Sequence, residues 1–207
     1  MFFEDRLDAA CQLADALARH RGTDPLVLAI PRGAVPMARV VADRLDGELD
    51  VVPVRKLRSP FNPEFAIGAI DESGAFELSA DLDYTAVSRE YLEREKAAQL
   101  ARIREQRRRW SRGRPSADPA GRSVIVVDDG LATGSTMAAA LRFLRARGAR
   151  RLACAVPVAS REGLERVRPL ADELVTLAVP APFGAVSRFY REFPQVEDET
   201  VRELLAA

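Results

Sequence analysis

The sequence predicts an α/β protein built on a doubly wound, mostly parallel sheet. Three observations carry that prediction. Aliphatic runs recur at Leu26–Ile30, Leu49–Arg55, Val124–Val127, Leu152–Val158 and Leu174–Val179. Helical patterns separate them, and strands alternating with helices favour a parallel sheet covered on both faces. The run Val124–Val127 is apolar and β-branched throughout, which marks a strand buried on both sides.

Each element follows from local chemistry. Residues 2–20 carry Phe3, Leu7, Ala10, Cys11, Ala14 and Leu17 at helical spacing, and Gly22 ends that helix. Leu26–Ile30 is a strand, and Pro31-Arg32-Gly33 is the turn after it. Residues 34–45 form a helix that tolerates Pro36 in its first turn and stops at Gly47. Leu49–Arg55 is a strand that ends on the basic pair Arg55-Lys56. Residues 57–66 hold Ser59, Pro60, Asn62 and Pro63 and read as a loop. Ala66–Ile70 and Ala75–Leu78 flank Asp71–Gly74 as a hairpin. Residues 88–110 make a long polar helix, with Glu90–Arg94 and Glu105–Arg109 as favourable i,i+4 pairs. Ser111–Gly121 is a linker. The strand at Val124 and a helix from Met137 to a Gly148 cap follow. Leu152–Val158 is a strand, 161–168 a short helix, Leu174–Val179 a strand and 197–206 a last helix. Right-handed crossovers then bring the loops after residues 30, 55, 127 and 157 to one sheet edge, where ligands of such sheets bind.

Composition narrows the function. The 207 residues suit one domain, 1–207, with a helical insertion at 80–120 and a C-terminal segment at 180–207. Apolar residues make up 47%, enough for a sizeable core. Basic and acidic residues balance at 31 each, so no global field favours nucleic acid or a membrane surface. No apolar run approaches the roughly 20 residues of a membrane span. The start, Met1-Phe2-Phe3-Glu4-Asp5, lacks the basic region of a signal peptide, and a cytoplasmic protein is expected. Cys11 and Cys154 sit in no metal-like cluster and read as buried free thiols. The single histidine, His20, leaves no basis for a Ser-His-Asp triad or a histidine zinc site.

The chemistry concentrates where the Val124 strand stops. Asp128 and Asp129 are adjacent carboxylates, and Gly130-Leu131-Ala132-Thr133-Gly134-Ser135-Thr136 leads into a strong helix former. Free backbone N–H groups and the positive helix end attract a phosphate. The carboxylates can accept hydrogen bonds from sugar hydroxyls or hold a hydrated Mg²⁺. The loop has no Lys before its Ser/Thr, so it is not a Walker A motif, and it is not a Rossmann glycine pattern.

What the run does resemble is the phosphoribosyl diphosphate (PRPP) motif of the type I phosphoribosyltransferase family. The shared pattern is an aliphatic strand, two acids, a small-residue loop and Thr-Gly-x-Thr, here Val124 to Thr136. The fold resemblance covers most of the chain. It implies that Asp128 and Asp129 bind the ribose hydroxyls and hold Mg²⁺ through water. It implies that Gly130, Ala132, Thr133, Gly134, Ser135 and Thr136 cradle the 5-phosphate. Arg32 and Gly33 match the pyrophosphate loop. Arg55 and Lys56 match the basic residues placed against the pyrophosphate and, with Asp129, are the expected catalytic groups. Residues 57–74 match a flexible hairpin lid. The tail, 180–207, matches a hood over the acceptor, with Phe183, Val186 and Tyr190 facing it and a helix after it.

The implied reaction transfers ribose 5-phosphate from PRPP to a small nitrogenous acceptor, a nucleobase-like compound, with release of pyrophosphate. One departure limits the acceptor. Enzymes for 6-oxopurines place a Lys after the next strand, and this chain has Ala155-Val156-Pro157-Val158-Ala159 there. Family members often form homodimers. The alternative reading is a PRPP-sensing regulator on the same fold, binding nucleic acid through Arg102, Arg104, Arg107, Arg108, Arg109, Trp110, Arg112 and Arg114.

Overall fold

The computed structural model describes residues 3–61, 66–78, 87–111 and 114–206. Five parallel strands form the main sheet: β1 (Leu26–Ala29), β2 (Glu48–Val51), β6 (Ser123–Val127), β7 (Arg151–Val158) and β8 (Glu173–Ala178), in the order β2-β1-β6-β7-β8. Three antiparallel strands form a second sheet: β3 (Val54–Arg58), β4 (Ala66–Asp71) and β5 (Phe76–Leu78). Among the described residues no helix is long and apolar enough to cross a membrane.

The main sheet follows the two-residue alternation of strands. Val27, Ala29, Ile125 and Val127 face one core with helices α1 (Arg6–Ala16), α2 (Val35–Leu45) and α6 (Asp198–Ala206). Leu26, Leu28, Val124 and Val126 face the other with α4 (Ser135–Ala146) and α5 (Arg161–Val167). Both faces are covered, so β1 and β6 at the centre are buried at every residue. The predicted α/β class with a mostly parallel sheet holds.

Three expectations change. The first helix begins at Arg6, because the Asp5 side chain accepts the Leu7 and Asp8 N–H groups, both at 2.8 Å. Its buried face is Arg6, Ala9, Ala10, Leu13 and Ala14, so Leu7 is left exposed and Cys11 half-buried. Phe3, Ala10, Ala14 and Leu17 of the predicted stripe are buried as expected, and Arg6, Ala9 and Leu13 take the places expected of Leu7 and Cys11.

Second, the strand predicted over Leu49–Arg55 divides. β2 ends at Val51, and Pro53, which has no N–H to donate, marks the exit from the main sheet. Arg55 and Lys56 therefore lie within β3, pairing across to Ile70 and Ala69, rather than at a main-sheet edge. The predicted hairpin at Asp71–Gly74 is present, with the Asp71 carboxylate accepting from Ser73 Oγ (2.7 Å) and Ala75 N–H (2.9 Å). Third, the residue in the left-handed conformation after α2 is Asp46, at φ 55°. Gly47 is instead required by packing, since a Cβ there would lie 2.6 Å from the Pro25 carbonyl oxygen.

The long helix α3 (Arg89–Ser111) seats on the second sheet through Ile103, which packs with Leu57, Ile67 and Ile70. Tyr91 donates its hydroxyl to the Arg58 carbonyl at 2.9 Å, and Glu95 accepts the Arg58 N–H at 3.1 Å. At its other end Arg107 grips Asp50 of β2 with both terminal nitrogens, and Trp110 is buried in the main core. Of the arginines that could read nucleic acid, Arg107 is taken up by the buried Asp50, while Arg109 pairs at the surface with Glu105 and Asp198 and Arg104 donates to the Glu72 carbonyl. Residues 62–65 of the expected lid, and Arg112, lie outside the described residues.

Candidate active site

The carboxyl ends of β1, β6 and β7 carry the site. β6 delivers Asp128 and Asp129 directly from its last buried residue, Val127. The Asp128 carboxylate accepts the Asp129 N–H at 2.9 Å. Burial, together with the charge of Asp129, holds the Asp128 carboxyl well above the usual carboxylate range. Burial also raises Asp129, and the Arg6 guanidinium opposes that rise. A divalent cation or a hydrogen-bonding sugar would favour the ionised form of both. Cys154, beneath the acids on β7, has its thiol pushed up to about 12 by burial and is a packing residue.

Arg6 is a site residue that sequence reasoning missed. Its Nε and Nη2 both donate to Asp129 Oδ2, at 3.1 and 3.0 Å. Its Nη1 donates to the Pro194 carbonyl at 2.6 Å, and the guanidinium lies 3.7 Å from the Phe193 ring centroid. One cation thus ties the first helix to the acid pair and to the tail. A signal existed: Arg6 is a charged residue at the head of the apolar stripe Ala9, Ala10, Leu13 and Ala14.

The Pro31–Gly33 turn packs against the acids. The Pro31–Arg32 peptide is cis. A Cβ on Gly33 would lie 2.3 Å from Asp129 Oδ2, so only glycine allows this approach. Arg32 points to α6, where its Nη1 lies 3.3 Å from Asp198 and 3.8 Å from Glu197.

The loop 130–136 is held from two sides. Gly130 packs under Val186, whose Cγ1 would lie 2.5 Å from a Cβ at 130. Gly134 adopts φ 74° and precedes α4, and no side chain caps that helix start. Apart from a long 3.5 Å contact from the Ser135 N–H to Thr133 Oγ1, its first N–H groups are open to an anion. The Thr133 and Ser135 hydroxyls lie 3.2 Å apart, and Arg166 of α5, also missed from sequence, donates to Ser135 Oγ at 3.1 Å.

Two cavities flank the Pro31–Gly33 turn. One, of about 400 Å³, is bordered by Arg6, Arg32, Gly33, Asp129 and the segment Phe193–Val196. The other, of about 190 Å³, is bordered by Pro31, Arg55, Lys56, Arg58, Gln106 and Thr136, among others, with no carboxylate among the described residues of its wall. Arg55 donates to Gln106 Oε1 at 3.0 Å. Burial and the neighbouring Arg102 and Arg58 guanidiniums lower its pKa, so an arriving anion would relieve a stressed cation.

The structure therefore brings the acid pair, the 132–136 loop and Gly33 to one edge of the main sheet, and places Arg55 and Lys56, on the second sheet, at a cleft beside it. It does not bring Phe183, Val186 and Tyr190 to the wall of either cavity. Phe183 packs on Phe189 with ring centroids 5.1 Å apart, Val186 on Gly130, and Tyr190 on Phe3 and Phe193. The Tyr190 hydroxyl donates to the Asp129 carbonyl at 2.6 Å, and burial raises its pKa. The aromatic tail buttresses the acids, and the residues beyond it, Phe193–Val196, form the wall.

Residues 4–190 match the model of the phosphoribosyl transferase domain. Two Mycobacterium tuberculosis proteins, from strains CDC 1551 / Oshkosh and H37Rv, are provisionally named phosphoribosyl transferases. Each is 43% identical to this chain over 203 residues, covering 96% of this chain and 45% of its own length. The chain thus spans less than half the length of those relatives. The crystal structure of TT1426 from Thermus thermophilus shares 47% identity and a TM-score of 0.90, covering 99% of this chain and 98% of that one.

Proposed function

The chain belongs to the phosphoribosyl transferase domain family, and on that premise we propose that it transfers ribose 5-phosphate from PRPP to a small nitrogenous acceptor. The observation that carries this reading is the convergence of the acid pair, the start of α4 and the basic cleft of Arg55, Lys56 and Arg58 on the two sides of the Pro31–Gly33 turn.

Asp128 and Asp129 would accept hydrogen bonds from the ribose hydroxyls. Asp129 is fixed by Arg6, so it binds and orients rather than abstracts a proton. The N–H groups and hydroxyls of 132–136 take the 5-phosphate. Arg55 and Lys56, in the smaller cleft, would face the pyrophosphate, and Arg32, which borders the larger cavity, would have to leave Asp198 to join them. The bond from C1 of the ribose to the pyrophosphate oxygen breaks with its electron pair leaving on oxygen, the acceptor nitrogen lone pair forms the new bond to C1, and the proton that nitrogen carried passes to solvent. Positive charge develops on the sugar ring and negative charge on the leaving group, which the basic cleft stabilises where water is scarce.

The donor set fits Mg²⁺. Two adjacent carboxylates with no third metal-ligating side chain among the described residues suit an ion that keeps water and takes substrate phosphate as ligands. When bound, Mg²⁺ would neutralise charge on the pyrophosphate. The acceptor would enter the larger cavity beneath Phe193–Val196, with the tail as its hood. The test is pyrophosphate release from PRPP with Mg²⁺ across a panel of purines, pyrimidines and other amines. One acceptor class should give turnover, and Asp128→Asn/Asp129→Asn should give none. Turnover that survives in the double variant contradicts the assignment.

A further inference from the structure

We infer that Arg166, on α5, the helix after β7 that packs against the phosphate loop, is a binding residue for the 5-phosphate. This rests on the reading of 132–136 as the phosphate loop. The loop itself, Ala132-Thr133-Gly134-Ser135-Thr136, contains no charged side chain. A phosphate dianion there would meet N–H groups and hydroxyls only, unless a cation arrives from elsewhere. Arg166 is that cation: its Nη1 donates to Ser135 Oγ at 3.1 Å, and Ser135 Oγ lies 3.2 Å from Thr133 Oγ1.

The placement is built into the fold. Gly134 and Gly163 face each other so closely that a Cβ on Gly134 would lie 2.9 Å from the Gly163 carbonyl oxygen. A Cβ on Gly163 would lie 2.7 Å from the Ala132 carbonyl oxygen. Two glycines thus let α5 rest directly on the loop. Ser160 locks the contact: its hydroxyl donates to the Ala132 carbonyl and accepts the Gly163 N–H at 2.8 Å, while its own N–H donates to the Leu131 carbonyl at 2.8 Å. Arg166 stands three residues after Gly163, on the same helix face, so the seat that holds the loop also aims the guanidinium at it.

Arg166 also pairs with Glu162, at 3.3 Å one turn earlier, and that carboxylate is 69% exposed. Such a solvated pair is weak, so it can yield the guanidinium to a phosphate, which Arg binds with paired, charge-assisted hydrogen bonds. Arg166 therefore makes the site select a phosphorylated sugar over a free one.

The experiment is calorimetric titration of the full chain with ribose 5-phosphate, ribose and inorganic pyrophosphate, each with Mg²⁺. Arg166→Gln is expected to weaken ribose 5-phosphate about ten-fold, the loss of one charge-assisted contact, and to leave pyrophosphate unchanged. Arg166→Lys should restore part of the loss, and Glu162→Gln should bind as tightly as the parent or tighter. Both positions are largely solvated, so the variants fold. Equal ribose 5-phosphate affinity in Arg166→Gln and the parent overturns the role of Arg166 alone. A parent chain that binds pyrophosphate but not ribose 5-phosphate overturns the loop assignment and this inference together.

Discussion

Arg6→Met is expected to destabilise the fold by about 3–5 kcal/mol, the cost of removing one partner of a buried ion pair. Methionine keeps much of the apolar stem but leaves Asp129 without its two guanidinium hydrogen bonds and Pro194 without a donor. The pair is largely buried, at 10% and 18% side-chain exposure, so water from the adjoining cavity replaces it only in part. The pH dependence has a definite sign. Burial raises the Asp129 pKa and Arg6 restrains it. Without Arg6 the folded carboxyl rises further above its unfolded value and holds its proton to higher pH. The deficit is then largest near neutral pH and shrinks as pH falls into the carboxylate range. Urea unfolding at two pH values reads this directly, and Arg6→Met/Asp129→Asn should recover part of the loss. A deficit below about 1 kcal/mol at neutral pH, the worth of an exposed pair, contradicts the role given to Arg6.

The second large effect acts through Arg107, which borders the smaller cavity. Asp50→Ala is expected to cost about 3–5 kcal/mol, again as a broken buried pair. Asp50 is 1% exposed and takes both terminal nitrogens of Arg107, the Ala117 N–H at 2.9 Å and the Val51 N–H at 2.8 Å. It fastens α3 and the segment after it to β2. Arg107 Nε is already buried without a partner among the described residues, so the orphaned guanidinium has little left to satisfy it. Because Gln106 sits beside Arg107 and holds Arg55, the loosened helix should also raise the KM for PRPP more than it lowers kcat. The urea midpoint should fall with an unchanged m-value. A loss under about 1 kcal/mol would mean that α3 is held by the Ile103 cluster instead.

Much of the fold was legible because it rests on local pattern. The strands at Leu26 and Val124 are apolar runs ended by turn chemistry, and the hairpin at Asp71–Gly74 is named by its own residues. The donor side of the site was legible for the same reason: acids, loop and helix start are contiguous from Asp128 to Thr136. The residues that escaped are those whose role is set at long range. Arg6 meets Asp129 across 123 positions and Arg166 meets Ser135 across 31, and no local rule pairs them. The assignment of Arg55 and Lys56 to a main-sheet strand failed because the unbroken pattern from Leu49 to Arg55 hides the exit at Pro53. The aromatic tail was read as a ligand surface because aromatic residues suit both stacking and packing. Here Phe3, Phe193 and the Asp129 carbonyl take up Tyr190 instead.

The proposed function rests on a PRPP site formed by the acid pair and the 132–136 loop. Calorimetry of the full chain with PRPP and Mg²⁺ tests it most directly. Saturable one-site binding is expected, weakened on the order of 100-fold in Asp128→Asn/Asp129→Asn, as charged hydrogen bonds worth about 1.5–3 kcal/mol each are lost. No binding by the parent chain, or equal binding by the double variant, contradicts it.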